Sequence, residues 1–314
     1  MKILVTGVNG QLGYDIVKEC QKRNIEAVGV DVDEMDITNA KQVDKVIKKN
    51  KYDAVVHCAA WTAVDKAEDE IDACTKVNVV GTKNIVKVCK ELDIPLMYFS
   101  TDYVFDGQGE SEWKEYDERH PLNVYGQTKY EGELAVQTLN RYFIVRIAWV
   151  FGVNGNNFIK TMLRLGKAHG AVSVVNDQIG SPTYTYDLAK LCVQMIQTNK
   201  YGIYHATNEG LCSWYEFACE IFKQAGMNVE VTPVDSTKFP AKAKRPNNSR
   251  MSKTMLDKNG FDRLPTWQDA LSRYLKEIHD WNNSDYFNLF LLFIIRVRYD
   301  KIERNYLWGT YEKK

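Results

Sequence analysis

No charge of either sign is in excess: 41 Lys and Arg balance 41 Asp and Glu over 314 residues, and there is no long basic run. A chain of this kind lacks the electrostatic footprint of a nucleic-acid binder. Paired cysteines are missing too. Cys20, Cys58, Cys74, Cys89, Cys192, Cys212 and Cys219 are odd in number and scattered, with no C-x-x-C pair, so they are expected to be reduced, packed thiols rather than a disulfide framework. No basic, apolar and cleavage regions precede the first strand, and the cytoplasm is the expected compartment. Long apolar runs are also lacking. The stretch Phe287 to Ile295 covers nine residues, less than half of the ~20 that a transmembrane helix needs, so no membrane span is expected.

What is present is 45% hydrophobic residues, enough for one substantial core and a smaller second one. Lys2 to Thr6 is apolar and stops at Gly7-Val8-Asn9-Gly10-Gln11-Leu12-Gly13, after which Ile16, Val17 and Cys20 recur at helical spacing. Between a buried strand and a helix, Gly7, Gly10 and Gly13 suit a tight turn, close approach of backbone amides to a pyrophosphate, and close helix packing. A second run, Glu26 to Val30, ends at Asp31, 18 residues past Gly13. An acid there can accept hydrogen bonds from the adenosine ribose hydroxyls. No Lys or Arg follows closely to receive a 2′-phosphate, which favours NADH over NADPH.

The alternation continues with a helix over 39–49, a strand over 54–58, a helix over 77–92 and a strand over 96–100. This predicts an α/β, doubly wound parallel sheet that binds ligands beyond the carboxyl ends of its strands. Thr101 lies on that rim. Tyr125 and Lys129, four apart, share a helix face and can meet. Bringing a tyrosine from its reference pKa of ~10 to neutrality takes about 4 kcal/mol. An ammonium about 4 Å away at an effective dielectric of ~20 supplies it. The alternative is an ordinary helix in which the tyrosine ring packs and the lysine faces water.

Further on, helices are expected over 157–165 and 187–197, the latter capped by Thr185, and strands over 172–175 and 204–206, with a turn at Gly180 to Thr183. Ser213 and Glu216 form a capping box, and His205 is expected to be a packed core residue. The basic stretch Lys242 to Arg250 is either a solvated loop or a clamp for a diphosphate, with Arg245 as its bidentate contact. In domains, residues 1–152 with sheet-completing segments at about 171–200 would bind the dinucleotide. Residues 153–170 and 201–280 would form a smaller, interleaved substrate domain, and 281–314 an atypical extension.

Gly7-x-x-Gly10-x-x-Gly13 with Tyr125-x-x-x-Lys129 resembles the extended short-chain dehydrogenase/reductase superfamily, with a Rossmann-type sheet. The strings Ala59 to Glu68, Ser100 to Gly107, Arg146-x-x-Trp149-Val150-Phe151-Gly152, Asp177-Gln178-x-Gly180-x-Pro182-Thr183 and Arg245-Pro246-x-Asn248-Ser249 resemble its dTDP-4-dehydrorhamnose reductase family. They cover residues 1 to about 278. The resemblance implies NADPH- or NADH-dependent reduction of the 4-keto group of a dTDP-sugar. Tyr125 would donate the proton, Thr101 would hold the carbonyl oxygen, and Lys129 would stabilise the tyrosinate and grip the nicotinamide ribose. It places cofactor contacts at Gly10, Gln11, Leu12, Asp31, Asp36, Ile37, Ala60, Trp61 and Thr62, and sugar-pocket contacts at Val64, Asp102, Tyr103 and Trp149. Some members require Mg2+ at acidic residues of a homodimer contact, but no motif here carries those ligands over. Cys58 and Trp61 depart from the family's usual residues. The same superfamily also offers an epimerase or a non-catalytic dinucleotide-binding regulatory subunit. A dehydratase is disfavoured because no Glu follows Thr101-Asp102.

Overall fold

Six apolar stretches pair side by side, all in parallel: β1 Lys2–Thr6, β2 Glu26–Val30, β3 Ala54–His57, β4 Leu96–Thr101, β5 Tyr142–Ile147 and β6 Gly202–His205, in the order β2-β1-β3-β4-β5-β6. The computed structural model describes residues 1–239 and 241–283. Along β1, Ile3 and Val5 enter one hydrophobic cluster and Leu4 the other. Successive side chains of a strand point to opposite faces, so both faces of the sheet are covered and its strands read as continuous apolar runs.

On one face, α1 (Gln11–Lys22) packs against α6 (Thr185–Met195), with Leu12, Ile16, Leu188 and Cys192 in the cluster. The other face carries α2 (Ala40–Lys49), α3 (Thr82–Leu92) and α4 (Val124–Val136), through Val43, Ile47, Ile85, Val88 and Val136. After β1 the chain steps to β2 on one side and returns to β3 on the other. That reversal opens a crevice at the carboxyl ends of β1 and β3.

Several elements differ from the sequence-based expectation. The helix expected from Val77 begins earlier, as Ile71–Thr75, and passes through a π-helical segment, Lys76–Gly81, before α3. The sixth place in the sheet belongs to β6, whereas Ala171–Val175, expected to help complete the sheet, pairs with Glu230–Val234 as a separate two-stranded sheet. β6 wins because its Ile203 and Tyr204 are buried, while Ala171 and Ser173 are exposed. Thr185 does not cap α6. Tyr184 stands at that position, and the Thr185 hydroxyl donates to Asp15 Oδ2 at 2.5 Å, tying α6 to α1.

Helices α5 (Phe158–His169) and α7 (Trp214–Gln224) pack together, with Gly166 against the Phe222 ring. Ser213 accepts from the Glu216 amide and Glu216 accepts from the Ser213 amide, so the expected capping box starts α7. At the turn around Ser181 and Pro182, Ile179–Gly180 pairs with Cys212–Ser213, and Thr183–Tyr184 with Val150–Phe151. By its internal contacts the chain forms two compact units, Met1–Leu271 and Ser272–Lys314. Helix α8 (Trp267–Asn283) spans that boundary. Residues 284–314, most of the expected extension, lie outside the described residues. Among the described residues no helix is long and apolar enough to cross a membrane.

Candidate active site

The glycine loop forms one end of a cavity of about 800 Å³ at the carboxyl rim of the sheet. Gly7 has φ +68°, and a Cβ on it would lie 2.7 Å from the Ala59 amide nitrogen at the end of β3. A Cβ on Gly13 would lie 2.4 Å from the Gly7 carbonyl oxygen, because the first turn of α1 rests on the loop. Gly10 is the N-cap, so α1 presents its unpaired amides to the cavity. The loop is anchored from two sides. Asn9 N donates to Asp31 Oδ2 at 3.0 Å, and Gln11 Oε1 accepts from Gly152 N at 2.9 Å and Asn157 Nδ2 at 3.1 Å. Gly13→Ala forces a methyl into a backbone oxygen and should weaken dinucleotide binding ~10-fold or more through displacement of α1. Titration of NADH fluorescence checks this, and unchanged affinity would remove the close-packing role from Gly13.

The reactive end is built where β4 gives way to the short 3₁₀ turn Asp102–Val104. Asn123 caps α4, its Oδ1 accepting from Gly126 N at 2.7 Å and its Nδ2 donating to Lys244 O at 2.8 Å. Gly126 lets the helix close onto the turn: a Cβ there would lie 2.2 Å from the Tyr103 carbonyl oxygen. Tyr125 is thereby set edge-on to Tyr103, ring centroids 5.5 Å apart. One turn later, Lys129 is buried with its ammonium 4.1 Å from the centroid of the Tyr98 ring.

Electrostatics at this end corrects one expectation. Burial and the charge of Asp102 push the Tyr125 phenol well above its ordinary value, with the Thr101 hydroxyl pulling the other way. Lys129 does not draw it down, because burial lowers the lysine itself to about 7, partly opposed by Glu133 one turn further on. Burial also raises Asp102 to about 6, against hydrogen bonds from Ser249 and Thr101. The Thr101 hydroxyl donates to Asp102 Oδ1 at 2.8 Å and accepts from Tyr103 N at 3.2 Å. To hold a carbonyl oxygen, Thr101 must turn its proton away from Asp102.

Most of the residues singled out from the sequence line this one cavity: the three glycines, Gln11, Leu12, Asp31, Asp36, Ile37, Ala60, Thr62, Val64, Thr101, Asp102, Tyr103, Tyr125, Lys129 and Trp149. Two do not. The Trp61 indole donates to Ala63 O and lies under the Lys66 ammonium, while its backbone is held by Asn78. The Arg245 guanidinium is spent on Asp65, in a bidentate pair at 3.0 and 2.7 Å.

Asn78 escaped the sequence reading. It sits in the π-helical segment and joins Trp61 to Thr128 of α4, its Nδ2 donating to Thr128 Oγ1 at 3.0 Å. Ser249, noted only as part of a string, donates to Asp102 Oδ2. Its neighbour Asn248 binds the carbonyls of Gln108 and Ser111. Trp214, the first residue of α7, also lines the cavity. Among the described residues no group of three or more His, Cys, Asp or Glu could hold a metal ion.

Comparison with known proteins places this arrangement. Residues 1–279 match the model of the RmlD substrate binding domain family. A dTDP-4-dehydrorhamnose reductase of Aggregatibacter actinomycetemcomitans is 40% identical over 284 residues, covering 86% of this chain and 97% of that protein. The crystal structure of a dTDP-4-dehydrorhamnose reductase from Clostridium acetobutylicum superposes with a TM-score of 0.87 at 44% identity, covering 89% of this chain and 100% of that one. The corresponding enzyme of Bacillus anthracis, solved in complex with NADP, gives 0.86 at 43% identity, with 88% and 100% covered.

Proposed function

The chain belongs to the RmlD substrate binding domain family, that of the dTDP-4-dehydrorhamnose reductases of the extended short-chain dehydrogenase/reductase superfamily, and from that premise we propose that it reduces the 4-keto group of dTDP-4-dehydro-L-rhamnose to give dTDP-L-rhamnose. This is a step of nucleotide-sugar and cell-surface polysaccharide biosynthesis. The observation that carries the reading is convergence. Glycine cradle, Asp31, Thr101, Tyr125 and Lys129 all face one cavity of about 800 Å³. A nicotinamide cofactor fits there because α1 starts from its N-cap Gly10 with unpaired amides toward the cavity, on a loop folded so tightly that a Cβ at Gly7 or Gly13 would meet backbone atoms. When bound, its reduced form supplies the hydride.

The chain's own residues supply the proton and the orientation. Tyr125 stays a neutral phenol across the neutral range, the form that can give its proton to the carbonyl oxygen. Thr101, released from Asp102, donates to the same oxygen. Lys129, poised near neutrality, offers the cation that takes up the charge left on Tyr125. Val64, Tyr103 and Trp149 enclose the sugar.

On the cofactor, the chain accepts NADPH or NADH with the balance toward NADH. At the adenosine end the lining residues include Asp31 and Asp36, and Lys129, at the other end, is the only cation among the described lining residues. A 2′-phosphate would meet carboxylates there with no guanidinium to pair it. The NADP-bound relative marks the alternative.

One assay tests the proposal: the 4-keto sugar nucleotide with NADH, then NADPH, followed by absorbance of the reduced nicotinamide. Stoichiometric loss is expected, faster with NADH. Isomerised sugar without net loss would make the protein an epimerase. Binding of dinucleotide and sugar without turnover would make it a regulatory subunit.

A further inference from the structure

Trp149 has φ +50°, a left-handed backbone that a bulky side chain rarely adopts. Its carbonyl accepts from Thr183 N at 3.1 Å, which fixes the chain just past β5. Its indole stacks on that of Trp214, centroids 3.7 Å apart and planes 16° from parallel. Both residues line the cavity. Space for the Trp149 ring is left by Gly180, where a Cβ would lie 3.1 Å from it.

Trp214 comes from a rigid place. It is the first residue of α7, held by the Ser213–Glu216 capping box, and the Ser213 hydroxyl also donates to Asn176 Oδ1 at 2.8 Å. Behind it lies the Phe158 ring at 4.6 Å. The sequence of contacts runs from Phe158 through Trp214 to Trp149: a stiff support on one side, a strained residue on the other.

We propose that Trp214 is a positioning residue which, by stacking, holds the Trp149 indole as the wall against which the sugar nucleotide lies. The proposal rests on the reading that this cavity takes a dTDP-sugar. A tryptophan with its backbone in the left-handed region has an easier conformation to relax into. Stacking against a fixed partner is what keeps it from doing so. Loss of Trp214 frees Trp149, and the wall moves while the glycine cradle, Tyr125 and Lys129 keep their places.

The full chain, as wild type, Trp214→Ala and Trp214→Phe, is compared in three measurements: KM and kcat for the 4-keto sugar nucleotide, NADH affinity, and near-ultraviolet circular dichroism. Trp214→Ala should raise KM about 10-fold, leave kcat and NADH affinity within about 3-fold, and abolish the coupled indole signal of two stacked rings. Trp214→Phe, which keeps a flat face at the same place, should restore KM to within about 3-fold of wild type.

Unchanged KM in Trp214→Ala, or equal impairment of KM by both variants, would overturn the proposal. If the wild type turns over no 4-keto sugar, the functional reading fails on its own. The pair is then judged with dTDP as probe: about 10-fold weaker binding to Trp214→Ala than to wild type supports it, and equal binding overturns it.

Discussion

Tyr125→Phe should cut turnover by ~10²-fold or more while leaving NADH and sugar-nucleotide affinity within about twofold. The substitution removes one oxygen and keeps the ring, whose edge-on contact with Tyr103 at 5.5 Å does not involve the hydroxyl. What is lost is the phenol proton that burial and Asp102 keep in place. No neighbour is a ready substitute. The Thr101 hydroxyl is bonded to Asp102, which at pH 7 is mainly ionised with a value near 6, and a carboxylate cannot donate. A 10²-fold loss corresponds to about 2.7 kcal/mol at the transition state. Steady-state kinetics in the reductive direction checks this. A lowered kcat with unchanged KM is expected, because the interaction is made only as the carbonyl becomes an alcohol. Turnover within about threefold of wild type would sink the role of Tyr125 as proton donor.

The sheet and the cradle were legible because each follows from a local pattern. Apolar runs of four to six residues separated by amphipathic helices define the parallel strands, and Gly7, Gly10 and Gly13 stand between the first strand and first helix. Thr101 and Tyr125 could be brought to one rim by topology alone. Arg245 marks where local pattern stops. Its charge is visible in sequence, but its partner Asp65 lies 180 residues away, and only the fold reveals that the guanidinium is already paired. Asn78, which joins the end of β3 to α4, gave no signal in a helical pattern that looked uninterrupted. The pKa of Tyr125 turned on burial, which spacing does not report. Burial leaves Lys129 near neutrality, so it can meet charge as it develops on Tyr125 but does not draw the resting phenol down.

The other large effect lies behind the site. Arg146 of β5 and Glu133 of α4 are both fully buried and joined by two hydrogen bonds of 2.8 Å. Arg146 also donates to Glu115 O at 2.8 Å and lies 3.1 Å from His205 Nε2. Burial and the guanidinium hold His205 well below its usual range, so the imidazole is neutral and adds no charge. Glu133→Gln leaves a buried guanidinium without a counter-charge, and about 3–5 kcal/mol of stability should go with it. At about 2–4 °C per kcal/mol for a domain of this size, the melting temperature should fall by roughly 10 °C. Glu133 also sits one turn past Lys129 and supports its positive charge. The variant should therefore lower the Lys129 pKa further and move the alkaline limb of the reductase pH profile to lower pH, a shift that mere loss of stability would not produce. Replacing both partners, Glu133→Leu with Arg146→Met, removes the uncompensated charge and should recover much of the stability without restoring the pH profile. If the double variant melts as low as Glu133→Gln, the penalty comes from lost packing rather than from a stranded charge. If the pH profile does not move, Glu133 has no hold on Lys129.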